Sequence, residues 1–380
     1  MKKTNRTFFG RILLVVLIGL LLTGCSFFGF GSGSTSNSSS GNITYGANEN
    51  VTILESTSNY TPSTIEEAIG LVYDSVVAIY SSNKQSTSSG SGVIIGQGDE
   101  YYYIITCHHV IDGYNDITIM LSNNDLYNAE IVGGDEASDI AVLRIKANNL
   151  SVAKFISDSS NVTIGSTAIV IGNPLGTLSG SVTTGIISSA SRLIQMDDGT
   201  SKDLIQTDAA INSGNSGGGL FNIYGELIGI VNAKYAATGV EGLGFAIPAN
   251  TAKSIASGLI EKGYVEGRYN LGFTVSDGYI RSGGFFGSVT KVVYISSVEE
   301  NSSSYGILEV EDIVYGIRVE YKDSSKENSE LTSFSVAQDI TNFLNGLDLE
   351  IGDKIILTIK RGSSSNKQEV TVELKQYVYQ

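Results

Sequence analysis

The sequence predicts a mainly β protein, in which a β-sandwich or β-barrel domain is followed by a smaller α+β module. Short apolar runs separated by turn residues recur at regular spacing over residues 76–248, which is typical of sandwiches and barrels. Only 17% of the 380 residues are charged and 44 are glycine, a composition that favours short strands and turns over long helices. After residue 263 the pattern changes, and the length accommodates two domains.

The first predicted elements lie between residues 64 and 111. Thr64 and Glu67 have the spacing of a capping box, which predicts that a helix begins there. The run VVAIY (76–80) predicts a strand. The runs SGSGVIIG (89–96) and YYYIITCHHVI (101–111) are joined by polar turn residues and predict a hairpin.

Further strands and one helix complete the first predicted domain. The short apolar runs that predict these strands are ITIML, AEIVG, IAVLRI, TAIVIG, VTTGIISSA, LIQTDAA, ELIGIVNAKY and GLGFAIP. Residues 249–263 then carry alanine, isoleucine and leucine at helical spacing, with Gly263 as a stop signal. We expect the first domain to end at this helix.

The remaining residues, 268–380, predict an α+β module of ordinary domain size. The segment NLGF (270–273) leads into strands at SVTKVVYI and DIVYGIRV. A helix is predicted over residues 333–347, and KIILTIKRG and QEVTVELKQY predict a terminal hairpin.

The N-terminal residues have a pattern that is typical of a targeting segment. Four basic residues and the apolar run 12–22 have the layout of a secretory signal, and the run is short for a membrane-spanning helix. The residues LTGC (22–25) resemble the lipobox of bacterial lipoproteins, which implies cleavage after residue 24 and lipidation of Cys25. An uncleaved anchor with an incidental cysteine is the alternative. Residues 25–62, rich in Ser, Gly and Asn, are predicted to be a flexible tether.

Charge and cysteine content restrict the partners of the chain. The net charge of −15 argues against binding to nucleic acid, because phosphates would repel the protein. The chain has two cysteines, and lipidation of Cys25 leaves no intramolecular disulfide. Cys107 lies in an apolar run and is predicted to be a buried, inert thiol. No cofactor is expected, and two adjacent histidines with these cysteines make a poor metal-ligand set.

Three side chains are candidates for nucleophilic catalysis. Ser216 lies in the glycine-rich stretch DAAINSGNSGGGL (208–220), which fits a nucleophile on a tight turn, or alternatively a flexible loop. The chain has two histidines, His108 and His109, and strand periodicity cannot decide which one faces a cleft. Asp139 precedes an apolar run and could orient an imidazole, although an aspartate there is commonly a turn residue.

Several motifs in order resemble the HtrA (Deg) family of trypsin-like serine proteases, over about residues 64–380. The matching segments are SGSGVII (89–95), YIITCHHVID (103–112), DEASDIAVLRI (135–145), IGNPLG (171–176), VTTGIIS (182–188), QTDAAINSGNSGGGL (206–220) and GLGFAIP (242–248). The resemblance implies a chymotrypsin-like double six-stranded β-barrel, a protease domain at residues 63–264, followed by an α+β PDZ domain at residues 268–380.

The resemblance also assigns roles to the candidate residues. It implies a triad of His109, Asp139 and Ser216, and an oxyanion hole made by the backbone N–H groups of Gly214 and Ser216, with Asn215 as a further donor. His108 stands where the family usually has Asn, and Gly219 stands where it usually has Pro.

The same resemblance gives expectations about specificity and control. Ala210, beside Ile211, would form the floor of the substrate pocket, which predicts cleavage after small or medium aliphatic residues. Asn215 replaces the aspartate of zymogen-type trypsins, so activation by cleavage is not expected. Control is expected instead from the ordering of loops around residues 171–192 and 234–243.

The C-terminal module resembles a single PDZ domain. The residues Asn270, Leu271, Gly272 and Phe273 would form the loop that binds a peptide carboxylate, and the peptide would add a strand to the sheet edge beside the helix at 333–347. Glu311-Asp312 replaces the usual Gly-Asp, and a purely structural module is the alternative. The resemblance further implies a homotrimer formed through residues around 62–80.

Two functions remain open at this point. The first is a lipid-anchored serine endopeptidase on the extracytoplasmic face of the cell membrane, active in protein quality control and stress response, which cleaves unfolded or misfolded proteins and is regulated by C-terminal peptides at the PDZ domain. The second is a proteolytically inactive peptide-binding or chaperone-like scaffold. An esterase is a weaker third reading, because Ser216 lies outside a G-x-S-x-G motif.

Overall fold

Three β-sheets form the framework of the protein in the computed structural model. The structure describes residues 51–56, 61–173, 180–195, 201–235, 242–282, 288–362 and 366–379. The predicted signal peptide (1–24), the lipidation site Cys25 and most of the predicted tether lie outside the described residues. Among the helices that the structure describes, none is long and apolar enough to cross a membrane.

The first sheet has eight strands within the described residues, and all of its pairings are antiparallel. The strands are β1 (Thr52–Ile53), β2 (Val76–Ser82), β3 (Thr87–Gln97), β4 (Tyr101–Thr106), β5 (Asp116–Met120), β6 (Leu126–Asn128), β7 (Glu130–Asp135) and β8 (Ile140–Lys146). They pair in the order β6-β5-β2-β3-β4-β8-β7, and β1 pairs with β3. The predicted hairpin at residues 89–111 is therefore present as β3 and β4.

Strand β1 lies within the segment predicted as tether. Ile53 pairs with Gly96 of β3, and the backbone N–H of Phe155 donates to the carbonyl of Leu54 at 3.0 Å. The apolar side chains of Val51 and Ile53 also pack around Gly96. Residues 52–56, which lie within the segment predicted as tether, thus pair with strands of the first two sheets.

The second sheet contains a closed ring of six strands. The strands are β9 (Lys154–Phe155), β10 (Thr167–Gly172), β11 (Ser181–Gln195), β12 (Ser201–Thr207), β13 (Gly219–Phe221), β14 (Glu226–Val231) and β15 (Gly244–Pro248). They pair in the order β13-β10-β11-β12-β15-β14-β9, and an additional pairing of β13 with β14 closes the ring. This ring is the six-stranded barrel that the resemblance implied, with β9 attached outside it.

The two barrel sheets share one hydrophobic core. Ile79, Ile94 and Leu143 of the first sheet are fully buried, as are Phe221 and Ile230 of the second. Burial of this kind contributes about 25 cal/mol per Å² of apolar surface, which explains why short strands suffice to hold the two halves together.

Three α-helices accompany the barrels within the described part of the chain: α1 (Ile65–Val72), α2 (His108–Ile111) and α3 (Ala249–Lys262). The cap of α1 forms as predicted, because the Glu67 N–H donates to Thr64 Oγ1 at 3.1 Å; the Glu67 carboxylate accepts from the N–H of Ser63. Helix α3 ends at Gly263, which has a left-handed φ of 77°. The histidine pair lies on the single turn of α2 and not at the end of a strand.

The C-terminal module has its own five-stranded sheet and its own hydrophobic core. Its elements are β16 (Phe273–Ser282), β17 (Ser288–Val298), β18 (Ile313–Glu320), helix α4 (Ala337–Asn345), β19 (Lys354–Lys360) and β20 (Gln368–Glu373). Helix α4 is shorter than the predicted 333–347, because Val336 is extended and acts as the N-cap. The strands pair in sequence order, which leaves β16 at one edge of the sheet.

Candidate active site

The loop that carries Ser216 is shaped by glycine. Gly214 and Gly217 have φ values of 95° and 85°, which glycine adopts at low cost. A Cβ at Gly217 would lie 2.2 Å from the carbonyl oxygen of Ser91, so no side chain fits there. The loop is tied to β3 by the Ser91 N–H, which donates to the Ser216 carbonyl at 2.8 Å. Ser216 itself is buried, with 6% of its surface exposed.

His109 and Asp139 form a hydrogen-bonded pair. The ring Nδ1 of His109 lies 2.7 Å from Asp139 Oδ2, and the backbone N–H of His109 donates to Oδ1 at 2.9 Å. Asp139 closes the turn between β7 and β8 with a left-handed φ of 58°, a conformation that aspartate tolerates better than most residues. The two-point contact fixes both the position of the ring and its rotation.

Asn232 belongs to the same cluster, and the sequence reasoning missed it. Its Nδ2 donates to Asp139 Oδ2 at 2.7 Å, and its Oδ1 accepts from the Lys234 N–H at 3.1 Å. The side chain is fully buried at the end of β14. A polar residue directly after the apolar run ELIGIV was the available signal, because buried amides require specific partners.

The hydroxyl of Ser216 is held by the residue that follows Asn232. The Ala233 N–H donates to Ser216 Oγ at 3.2 Å. Within the part of the chain that the structure describes, Ser216 makes no hydrogen bond to His109. Catalytic hydrogen bonds in ligand-free sites are often long and tighten only when substrate binds. Asn232 and Ala233 thus bring the carboxylate and the hydroxyl to the same strand end.

The environment keeps Asp139 ionised. Burial acts to raise the pKa of this carboxyl, but the hydrogen bonds from His109 and Asn232 outweigh it and hold the pKa below its usual value. An ionised carboxylate can only accept, so His109 Nδ1 is the donor of their hydrogen bond.

Cys107 lies beside this pair and is buried. Burial is the main cause that raises the pKa of its thiol well above the ordinary value, and its Sγ donates to the Val231 carbonyl at 3.4 Å. The nearest donor atoms of Cys107, His109 and Asp139 lie within 4.8 Å of one another. The set contains a buried thiol and an imidazole whose Nδ1 is already bonded to Asp139, which makes it a poor set of metal ligands.

The backbone of the Ser216 loop presents two N–H groups for an oxyanion. The Asn215 N–H donates to the Asn212 carbonyl at 3.0 Å, so it is not free to serve as the expected third donor. The N–H groups of Gly214 and Ser216 have no acceptor among the described residues. Ser91 Oγ donates to the Gly214 carbonyl at 2.7 Å, which fixes the peptide that follows Gly214.

The expected substrate-pocket residues lie at the entrance to this loop. Ala210 is exposed, and its carbonyl accepts from Thr183 Oγ1 at 2.8 Å. Ile211 is half-buried and packs against Gly244 of β15, where an added Cβ would lie 2.6 Å from Ile211 Cδ1. The expected control loops, 171–192 and 234–243, lie partly outside the described residues.

The expected carboxylate-binding loop leads directly into the edge strand β16. The carbonyls of Asn270, Leu271 and Gly272 accept hydrogen bonds from backbone N–H groups of residues 303, 304 and 299. Gly272 has a φ of 64°, and Ser302 fills the space where a Cβ would stand. The Ala337 N–H at the start of α4 donates to Asp277 Oδ1 on β16 at 2.8 Å, so helix and edge strand lie side by side.

These features define a class of protein. Two joined β-domains, one of them a closed six-stranded barrel, bring a histidine–aspartate pair and a glycine-flanked serine to one junction, as in trypsin-like serine peptidases. A protein-family model described as a trypsin-like peptidase domain matches residues 90–230.

Comparison with individual proteins narrows this class to a family. It is 36% identical over 288 residues to the serine protease Do-like HtrA of Lactobacillus helveticus, which covers 71% of this chain and 69% of that protein. The HtrA of Bacillus subtilis is 36% identical over 309 residues, covering 78% and 66%. A solved structure of an HtrA-type protease with a tripeptide is 29% identical with a TM-score of 0.51, covering 82% and 97%.

The chain therefore belongs to the HtrA family of serine proteases. This confirms the family and the mainly β fold expected from the sequence. A relative from Haemophilus influenzae, 45% identical over 178 residues that cover 46% of this chain and 37% of that protein, is described as a probable periplasmic serine protease. The chain spans 66% and 61% of the length of the Bacillus subtilis relatives HtrA and HtrB.

Proposed function

We propose that this chain is a membrane-anchored, extracytoplasmic serine endopeptidase that cleaves unfolded proteins. Ser216 is the nucleophile, His109 the general base and Asp139 the carboxylate that orients it. The observation that carries the proposal is the 2.7 Å contact between His109 Nδ1 and Asp139 Oδ2, made at the strand end where Ala233 holds the Ser216 hydroxyl.

The geometry supports a two-step acyl transfer. Ser216 Oγ attacks the peptide carbonyl while His109 Nε2 takes its proton and then gives that proton to the leaving amine. A hydroxyl has one proton to donate and two lone pairs, so Oγ can keep its bond from Ala233 while it donates to His109. Water then attacks the acyl-enzyme by the same route and restores Ser216.

Charge development on the substrate carbonyl is stabilised by the backbone of the Ser216 loop. The N–H groups of Gly214 and Ser216 are the proposed donors, and Ser91 Oγ holds the peptide between them through its hydrogen bond to the Gly214 carbonyl. One such donor is typically worth about 10²–10³ in kcat. Asn215 is left out of this proposal, because its N–H already donates to Asn212.

The finer parts of the proposal concern substrate, assembly and location. The apolar side chains of Ala210 and Ile211, if they form the floor of the substrate pocket, favour small or medium aliphatic residues before the cleaved bond. The exposed apolar side chains Ile65 and Leu71 on α1, 39% and 51% exposed, support a homotrimer contact around residues 62–80. Lipidation at Cys25 would anchor the protein outside the cytoplasm, with residues 1–24 removed as signal.

We further propose that residues 268–380 form a PDZ domain that binds C-terminal peptides. Support comes from the order of a glycine-containing loop, the edge strand β16 and the adjacent helix α4. A bound peptide would add a strand to β16, with its carboxylate at Leu271, Gly272 and Phe273.

Labelling with a serine-directed fluorophosphonate tests the proposed nucleophile. The wild-type protein and a Ser213→Ala control, changed at an exposed serine of the same loop, should be labelled, whereas Ser216→Ala should not. Peptide hydrolysis by Ser216→Ala should fall by about 10⁶-fold in kcat. A folded wild-type protein that stays unlabelled, even with added C-terminal peptides, would instead support the inactive peptide-binding scaffold.

A further inference from the structure

Two segments that are distant in sequence form a hydrogen-bonded clip behind the candidate active site. We define the junction clip as residues 265–268, which follow α3, and residues 376–379, which follow β20. The Gln376 side chain donates to the carbonyls of Val265 and Arg268 at 2.9 and 3.1 Å, and it accepts from the Gly267 N–H at 3.2 Å. The Tyr377 N–H donates to the Arg268 carbonyl at 2.8 Å.

The first contact of the junction clip with the barrels is aromatic. The ring of Tyr379 meets the ring of His108 edge to face, with centroids 4.8 Å apart and an interplanar angle of 81°. Tyr379 is 8% exposed and packs in the core that the two barrels share, not in the core of the C-terminal module. Gly134 makes room for both rings, since a Cβ there would lie 2.7 Å from His108 Cδ2.

The second contact is an ion pair at the base of the turn that carries Asp139. Arg268 Nη2 donates to Asp135 Oδ2 at 3.2 Å, and its Nε lies 3.0 Å from Oδ1. Asp135 is 3% exposed, and its Oδ2 also accepts from the Ser138 N–H at 3.0 Å. The carboxylate therefore links the guanidinium of the clip to the residue next to Asp139.

Both contacts of the junction clip lead to the His109–Asp139 pair through neighbouring residues. His108 precedes His109 in the chain, and the His108 N–H donates to the Asp139 carbonyl at 3.1 Å. Within the described residues His108 Nε2 has no hydrogen-bond partner, so at this nitrogen packing alone restrains the ring. If Tyr379 is removed, the ring can turn toward incoming water and carry the His109 backbone with it.

We propose that the junction clip positions the His109–Asp139 pair for catalysis, with Tyr379 and Arg268 as positioning residues. The proposal rests on the proposed function, because it assigns these residues to the same reaction. Neither side chain touches the reacting atoms. Each acts through the residue that it contacts, Tyr379 through His108 and Arg268 through Asp135.

The principal test is Tyr379→Ala, compared with Tyr379→Phe and with Tyr305→Ala, which changes a tyrosine that is 57% exposed. We expect kcat per titrated active site to fall by about tenfold in Tyr379→Ala, since small misplacements of catalytic groups are costly, with KM unchanged. Tyr379→Phe keeps the ring and should stay within about twofold of wild type, as should Tyr305→Ala.

Arg268→Gln gives an independent test that leaves the aromatic contact intact. It should lower kcat per titrated site by a few-fold, and its effect should not add fully to that of Tyr379→Ala, because both act on one pair. Measurement per titrated site, well below the unfolding temperature of each variant, removes the contribution of unfolded molecules. Wild-type kcat per titrated site in both variants would overturn the proposal.

An NMR measurement, which does not require enzymatic activity, tests this proposal independently of the proposed function. The proton of the His109 Nδ1–Asp139 hydrogen bond should give a far-downfield NMR resonance in the wild-type protein and in Tyr379→Phe. We expect it to shift or broaden in folded Tyr379→Ala. An unchanged resonance would overturn the positioning role even if the enzyme is active. An unlabelled wild-type protein with the resonance changed in Tyr379→Ala would refute only the proposed function.

Discussion

The two sides of helix α2 place identical side chains in opposite surroundings. On the side of the cleft, His109 is hydrogen-bonded to Asp139 twice, and 29% of its side chain is exposed. On the inner side, His108 is 5% exposed and packs against Tyr379, and its Nε2 has no partner in the described part of the chain. One imidazole is oriented by charge and the other is enclosed by packing.

The difference shows that environment, not residue type, decides which histidine can act as a base. Asp139 accepts a hydrogen bond from His109 Nδ1, which fixes the tautomer in which Nε2 can accept a proton. Burial instead lowers the pKa of His108, although the carboxylates of Asp112, Asp139, Glu136 and Asp135 act in the opposite direction. The inner histidine therefore stays neutral and serves as a packing element.

The largest effect on kcat is expected when the charge of Asp139, which is hydrogen-bonded to His109, is removed. Asp139→Asn keeps the size of the side chain but loses the acceptor that fixes the His109 tautomer, and kcat should fall by about 10⁴-fold. Steady-state hydrolysis of a peptide substrate measures the effect. The matched control is Asp112→Asn, an identical chemical change at an exposed position directly after α2, which should leave kcat within about twofold.

The same two variants also test which carboxylate orients the base. If Asp112→Asn reduced kcat as strongly as Asp139→Asn, the carboxylate that orients the base would lie on the other side of α2. His109 would then lose its assignment as the general base.

A smaller effect is expected from Asn232→Ala. The change removes one of the hydrogen bonds that hold the pKa of Asp139 low, so that pKa should rise toward its ordinary value. We expect kcat to fall about tenfold and the free energy of unfolding to fall by about 1–3 kcal/mol, as for a buried polar group that loses a partner. Kinetics and urea denaturation measure the two quantities.

The control for Asn232→Ala is Asn123→Ala, which removes an amide from an exposed hairpin turn. Its stability should stay within about 0.5 kcal/mol of wild type. Equal stability and kcat for wild type and Asn232→Ala would show that Asp139 is oriented by His109 alone.

The smallest effect is expected at His108, on the inner side of α2. It appears only in the pH dependence of the free energy of unfolding. Below the ordinary histidine pKa of about 6.5, His108 binds a proton in the unfolded chain, whereas the folded chain resists protonation because the ring is buried. The unfolded state then binds more protons, so this contribution to stability is present above pH 6.5 and is lost as the pH falls. His108→Phe removes this contribution.

We therefore expect wild type to lose about 1 kcal/mol more stability than His108→Phe between about pH 7.5 and 5.5. Urea denaturation at the two pH values measures the difference. Parallel losses in the two proteins would mean that His108 is protonated as readily in the folded chain as in the unfolded one.

Much of the fold could be predicted because it depends on local pattern. The cap of α1 at Thr64, the strand at residues 76–82 and the stop of α3 at Gly263 each follow from neighbouring residues. The histidine turn did not follow from pattern. An apolar run continues through it, and the helical turn that follows Cys107 is held by the His108 N–H, which donates to the Asp139 carbonyl in the turn between β7 and β8.

The candidate site was only partly predictable, because some of its contacts join residues that are distant in sequence. Ser216 stands out because its glycine neighbours are visible in the sequence, and resemblance to a family singled out His109 and Asp139. Asn232 was missed because its partner is distant in sequence. The loss of Asn215 as an oxyanion donor depends on where one carbonyl points, which sequence does not encode locally.

The mainly β architecture, the glycine-rich turn around Ser216 and the family to which the chain belongs could be predicted from the sequence, because they depend on short-range spacing and composition. The hydrogen bond from Asn232 to Asp139 and the packing of Tyr379 against His108 became visible only in the tertiary structure. These contacts join residues far apart in the chain, so their energy exists only once the sheets have assembled.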